Sequence, residues 1–139
     1  MAEISDFLPV TSETVGGFFD LAFAPSVKAL GLCDFSVSEG RARATLPHSP
    51  DHVMYFGVVC GQAIMAAIDT VTVIAMSTTP RMTKGTIYQH THFLRPARDE
   101  SVHIETVVIR FGKVSAYAET TVTDESGALV ARSSSEFAF

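Results

Sequence analysis

Between Asp51 and Arg81 the chain carries one formally charged side chain, Asp69, inside a run that is otherwise apolar, small or hydroxylated. No other stretch so limits the fold. The run is too long for one strand, which typically spans about 5–6 residues. Gly57 and Gly61, followed by Gln62-Ala63-Ile64-Met65-Ala66-Ala67-Ile68, read as a loop that turns into a helix from about Gly61 to Ser77. Ser77-Thr78-Thr79-Pro80 stops it. With little polar relief on any face, this helix is expected to be buried nearly all round. The run from Val53 to Met76 is also long enough for a membrane span. Gly57, Gly61, Gln62, Asp69, Thr70 and Thr72 interrupt the run, however, and a helix buried inside a domain is the preferred reading.

A different period governs the remainder. Thr86 to Arg95, Ser101 to Arg110, Val114 to Thr123 and Leu129 to Phe139 are four strand runs, separated by Arg95-Pro96-Ala97-Arg98, Phe111-Gly112-Lys113 and the hairpin signal Asp124-Glu125-Ser126-Gly127. In the third, Val114, Ala116, Ala118, Thr120 and Val122 alternate with Ser115, Tyr117, Glu119, Thr121 and Thr123. Cys33 to Leu46 is a further strand region with a turn at Ser38-Glu39-Gly40. Thr11 to Leu30 has helical spacing, started by Thr11 or Ser12, broken at Pro25 and ended at Gly31. No helix alternates with the later strands, so a parallel doubly wound sheet is not expected. The pattern fits an α+β domain, an antiparallel sheet with one long helix against its concave face. Residues 1–139 are expected to form one such domain, with an N-terminal helical segment at about 11–30.

The net charge of −5 argues against nucleic acid as a partner, while leaving room for a small basic site for an anionic ligand. Cys33 and Cys60 are too few for a disulfide framework or a structural zinc site. The N-terminus carries Glu3 and Asp6 and no long apolar core, so no secretory signal is read there and a cytoplasmic setting is expected.

The chemistry of the apolar run lies at its two polar features. The first turn of a helix has backbone N–H groups without partners and a partial positive charge. Gly61 has no side chain, so a ligand oxygen can approach its N–H, the arrangement of a backbone oxyanion hole. Asp69 lies about two turns further on. A carboxylate in apolar surroundings is costly without a partner or a task. Its bland account is an outward-facing side chain, or one satisfied by a hydroxyl such as Thr72.

The residues Pro47 to Met76, with Phe93-Leu94-Arg95-Pro96 and Gly112-Lys113, resemble the hotdog-fold acyl-CoA thioesterases, most closely the phenylacetate-pathway (PaaI-like) branch. The pattern there is Asn-x-x-Gly-x-x-His-Gly-Gly followed by an acid near mid-helix. Gly57 and Gly61 hold two of its glycine positions and Asp69 the acid, whereas Met54, Cys60 and Gln62 stand in place of Asn, His and Gly. The resemblance extends from about Phe35 to Phe139. It implies a hotdog fold and thioester hydrolysis, with the Gly61 N–H polarising the carbonyl and Asp69 acting as general base or as nucleophile. Gln62 is then a candidate to hold the water. It also implies no cofactor, coenzyme A entering as part of the substrate. It further implies self-association into a dimer or tetramer in which the glycine and the acid of one site come from different copies.

Other residues are weighed beside these. Cys60 is an alternative nucleophile, since a helix N-terminus lowers a thiol pKa, but no His is placed by spacing to activate it. Met54, Tyr55, Phe56, Gly57, Met65 and Phe93 are candidates to line an acyl pocket, or are plain core. Arg95, Arg110 and Lys113, with Arg98, lie near strand ends and are candidates to hold the phosphates of coenzyme A, or are ordinary surface charge. His48, nine residues before Gly57, matches the histidine spacing of hotdog dehydratases, but Gln62 stands where their acid belongs and cannot shuttle a proton. His90 and His92 share a strand face with His103 on the next run; no Cys or carboxylate completes a metal set by spacing, and no metal is expected. A non-catalytic acyl-CoA-binding hotdog remains the alternative to the enzyme.

Overall fold

The computed structural model describes the chain from Met1 to Phe139. Six strands form one sheet: β1 (Cys33–Ser38), β2 (Arg41–Leu46), β3 (Gly85–Phe93), β4 (Val102–Phe111), β5 (Ser115–Thr123) and β6 (Leu129–Ala138). Their order is β1-β2-β4-β5-β6-β3, and every neighbouring pair is antiparallel. Helices α1 (Val15–Ala22) and α2 (Pro25–Lys28) precede β1, and the long helix α3 (Gly61–Met76) lies between β2 and β3. It crosses one face of the sheet to join strands at opposite flanks. This is the α+β hotdog architecture, with the sheet wrapped around the helix.

The alternation read in β5 is realised from Ala116 to Val122, whereas Val114 lies before the strand and is exposed. Ala116, Ala118, Thr120 and Val122 are buried, and their neighbours point outward. Ile64, Ile68, Val71 and Ile74 of α3 pack with Ala42, Ala44 and Leu46 of β2, Val102 and Ile104 of β4, and Val130 and Ala131 of β6. Full burial of one such aliphatic side chain stabilises by roughly 1.5–3 kcal/mol. Pro25 opens α2 rather than ending a helix, because its fixed φ suits a first helical position and its missing N–H costs nothing there. No helix is long and apolar enough to cross a membrane.

Two expectations about α3 are corrected. The helix is not buried all round: Gln62 and Met65 are exposed, and Ala66, Asp69 and Val73 are only partly covered. These positions recur at intervals of three and four, so they form one stripe turned away from the sheet. An apolar stripe gives no sign in the sequence that the fold leaves it open. Nor does Thr72 satisfy Asp69. Its hydroxyl points into the core, donating to the Ile68 carbonyl at 2.7 Å and lying 3.4 Å from the hydroxyls of both Thr106 and Thr120. Those two hydroxyls are 2.7 Å apart, which completes a buried three-threonine network.

The β5–β6 hairpin turns at Asp124–Gly127, with Gly127 at φ +88°. One carboxylate oxygen of Asp124 accepts from the Ser126 hydroxyl at 2.6 Å and from the Ser126 and Ala128 N–H groups, each at 2.9 Å. The Ser126 hydroxyl, then the two backbone donors, then the nearby Arg95 charge hold this carboxyl below the usual carboxylate range. A lowered pKa contributes stability that is present above the unfolded value, about 3.9, and is lost as pH falls through the folded value. Asp124→Asn is therefore expected to cost most stability near neutral pH, with the gap to wild type closing in urea titrations as pH drops below about 4. A gap that stays constant across that range would assign the effect to turn geometry instead of charge.

Candidate active site

The loop before α3 is built around two glycines with different tasks. A single 3₁₀ turn at Tyr55–Gly57 forms its tip, where Phe56 and Gly57 both have left-handed backbone, φ +59° and +73°. A Cβ on Gly57 would fall 2.5 Å from a carboxylate oxygen of Asp99. Asp99 also donates its N–H to the Gly57 carbonyl at 3.0 Å, and Arg98 reaches the Phe56 carbonyl at 3.1 Å. Gly57 thus lets the tip dock on the Arg98-Asp99 segment. Val59 N–H then bonds Ala97 O at 2.9 Å, and Cys60 N–H bonds His52 O at 2.7 Å. These bonds aim the chain into α3.

Cys60 is the N-cap of α3 and supplies no side-chain cap. The helical ladder begins with Ile64 N–H to Cys60 O at 3.3 Å. The amides of the first turn, Gly61 foremost, have no intrahelical acceptor. Gly61 is helical, with no need of unusual φ; what it lacks matters for another reason. A Cβ there would stand 3.3 Å from the tip of the Phe93 ring at the end of β3. Gly61 and Phe93 line a cleft of about 410 Å³ with Met54, Val58, Ile64, Leu94, Arg95 and Val130. An uncapped helix start in a mostly apolar cleft suits a polarised oxygen on a hydrophobic ligand.

Of the residues singled out in the sequence, the cleft brings together Met54, Gly61, Phe93 and Arg95. Tyr55 and Phe56 stack on each other, centroids 4.1 Å apart, at the loop tip, where they are 75% and 74% exposed rather than part of the cleft wall. Gln62, Met65 and Asp69 lie on the open stripe of α3. The cation set is split. Arg110 pairs with Tyr117, which is level with Glu136 and hence with Tyr88. Arg95 lies beyond the far end of β3, roughly 20 Å from that level along the strand direction. Lys113 belongs with Arg110, in a turn whose Gly112 and Lys113 carbonyls are held by Arg81. His48 is exposed, with its N–H on Ser101 Oγ, and lines none of this cleft. His103 Nδ1 shares a hydrogen bond with Thr45 at 3.1 Å, apart from His90 and His92.

Asp69 has a partner that sequence reasoning missed. Thr86, at the start of β3, donates its hydroxyl to one Asp69 carboxylate oxygen at 2.8 Å. Seventeen positions separate the two, and only the return of the chain from α3 into β3 joins them. A second omission is His52, which is buried and donates from Nε2 to the Leu30 carbonyl at 2.8 Å, tying the loop to the N-terminal helical segment. Within one copy, eight residues of helix put Gly61 and Asp69 about 12 Å apart along the axis, too far to act on one carbonyl carbon.

The fold is that of a hotdog protein. The chain belongs to the Thioesterase superfamily, whose family profile matches residues 56–131. Among solved structures, zebra fish thioesterase superfamily member 2 superposes with a TM-score of 0.83 at 19% identity, over 93% of this chain and 98% of that one. Escherichia coli PaaI, from the phenylacetic acid degradation operon, gives 0.75 at 20% identity, over 81% and 86%. The smu.793 protein of Streptococcus mutans, solved with acetyl-CoA bound, gives 0.70 at 17% identity, over 76% and 88%. No curated protein sequence matches the chain.

The two glycines predict opposite outcomes. Gly57→Ala forces a left-handed alanine against the Asp99 carboxylate and is expected to cost about 1–3 kcal/mol in denaturant unfolding. Gly61→Ala adds a helix-compatible methyl that Phe93 accommodates by a shift of a few tenths of an ångström, and stability should stay within about 1 kcal/mol of wild type. Equal losses for the two would refute this division of labour.

Proposed function

We propose that the chain is an acyl-CoA thioesterase that acts as a dimer, with Gly61 from one copy and Asp69 from the other at each site. The observation that carries this reading is the placement of Asp69. It is the only charged residue of α3, it sits on a stripe the fold leaves uncovered, and Thr86 holds one of its oxygens. The roughly 12 Å between Gly61 and Asp69 on one helix calls for a second copy, whose α3 stripe would cover this one. The acyl group would occupy the cleft of Met54, Ile64 and Phe93. The acetyl-CoA held by the Streptococcus mutans protein supports coenzyme A as the carrier.

In the reaction, the thioester carbonyl oxygen accepts from the Gly61 N–H as negative charge develops on it. Asp69 then takes a proton from water, which attacks the carbonyl carbon; the C–S bond breaks and coenzyme A leaves as the thiol with that proton. The nucleophilic route differs only in that Asp69 attacks first, and water cleaves the resulting anhydride. Thr86 fixes one carboxylate oxygen and leaves the other free for either task. Gln62, exposed one residue into the helix, would hold the water. Cys60 remains the N-cap, with no partner given to its thiol. Arg95, on the cleft wall, would hold the coenzyme phosphates in its own copy; Arg110 and Lys113, at the other end of the strands, would contribute only from the second copy.

The test is thiol release from a panel of straight-chain and aryl acyl-CoAs. Asp69→Asn is expected to lower kcat by about 10²-fold or more, and Thr86→Val to lower kcat with little change in KM. Gly61→Pro removes the N–H at a position where proline is tolerated. Co-expressed with Asp69→Asn, it should restore partial activity, because a mixed dimer keeps one intact pair. Wild type that binds acyl-CoA and releases no thiol would make the chain a binding protein. Crotonyl-thioester hydration abolished by His48→Ala would make it a dehydratase.

A further inference from the structure

We propose that His90 and His92 form a two-histidine site for a first-row divalent cation on the outer face of the sheet. Gln89, Thr91 and Phe93 point from β3 toward α3, as the bond from Gln89 Nε2 to the Met65 carbonyl shows. Tyr88, His90 and His92 alternate with them and face the other way, away from everything the proposed thioesterase reaction uses. They line an open cleft of about 510 Å³ with Leu94, Glu119 and Arg132.

The geometry of the pair carries the inference. The two Nε2 atoms are 3.2 Å apart. A cation about 2.05 Å from each nitrogen, the usual metal–imidazole distance, would then see them at an angle of about 103°, between the octahedral and tetrahedral values. With each ring centroid about 1.15 Å behind its nitrogen, the same cation places the centroids about 5.0 Å apart; they are 4.9 Å apart. One ring N–H donates to the other ring nitrogen across this gap, and a cation would take the place of that shared proton.

The surroundings define the class of site. No third histidine, cysteine or carboxylate joins the pair closely enough to ligate, so water from the cleft completes the shell. The Glu119 carboxylate is engaged by the Ser134 hydroxyl at 2.9 Å. Arg132 on β6 stands opposite His92. Imidazole donors with open positions suit Zn(II), Cu(II) or Ni(II), and exclude Mg(II) and Ca(II), which take oxygen ligands.

The test uses the full chain, with Zn(II) titrated by calorimetry and Cu(II) followed by electron paramagnetic resonance. One ion per chain is expected, with nitrogen coupling from two imidazoles in the Cu(II) spectrum. His90→Asn and His92→Asn, both exposed and checked by circular dichroism, should each weaken binding by at least the roughly 10-fold that loss of even an indirect partner costs at metal sites. His48→Asn should leave the isotherm unchanged. An unaltered isotherm in either strand variant, or coupling from a single nitrogen, would overturn the site. Thiol-release activity is a separate readout, so failure of the cation site and failure of the thioesterase reading are distinguishable.

Discussion

Helix α3 has to satisfy two environments at once, and the rest of the molecule is arranged around that demand. Its buried side, Ile64, Ile68, Val71 and Ile74, is the apolar surface on which the sheet closes. Its other side presents Gln62, Met65, Asp69 and Val73 to the outside. The helix runs one way across the sheet and β3 runs back. This return places Phe93, at the end of β3, over Gly61, and Thr86, at the start of β3, against Asp69. One antiparallel helix–strand pair thereby positions both Gly61 and Asp69, the two ends of the proposed site. A shift of α3 along the sheet would break the amide cleft and the carboxylate contact together.

The loop before the helix shows how a structural demand and a chemical one are kept apart. Gly57 is required by its φ and by the Asp99 carboxylate packed on its Cα. Gly61 is required by neither; its backbone is ordinary helix, and its bare Cα leaves room for an aromatic wall and an approaching oxygen. Replacement of the usual histidine by Cys60 at the N-cap leaves this intact, because the Cys60 contribution here is its backbone, bonded to His52 O and Ile64 N. Met54 likewise takes a place on the apolar cleft wall, and Gln62 lies on the open stripe of α3, so the departures from the family pattern leave the Gly61 amide and the Asp69 carboxylate in place.

Much of the fold was legible because it rests on period. Alternation in β5 and the breaks at Pro25, Gly40 and Gly127 are local, and the structure places elements where those signals put them. What escaped is non-local. The open stripe of α3 is written in Met65, Ala66 and Val73, residues that a core would use equally well. The Asp69–Thr86 bond and the separation of Arg95 from Arg110 and Lys113 depend on strand order, with β3 at an edge beside β6 instead of beside β2. Spacing offers Thr72 as the hydroxyl one helical turn downstream of Asp69. Helix rotation sent it inward, to Thr106 and Thr120, where three hydroxyls satisfy one another inside the sheet.

The position of Asp69 has an energetic consequence in the proposed dimer. Covering the α3 stripe with a second copy would bury Met65, Ala66 and Val73 favourably, but would also strip water from the carboxylate. Desolvation of such a charge costs several kcal/mol, and one hydrogen bond to a charged group returns only about 1.5–3 kcal/mol. Thr86 alone leaves that balance unfavourable. An alanine or leucine at position 69 would make the more stable interface. In that dimer a carboxylate would be kept there at the expense of stability, and the resulting site, a partly satisfied acid facing the uncapped amide of the neighbouring helix, would be poised to lower its free energy by engaging water and a polarised carbonyl. The cost of the interface and the reactivity of the site would then be one property of one side chain.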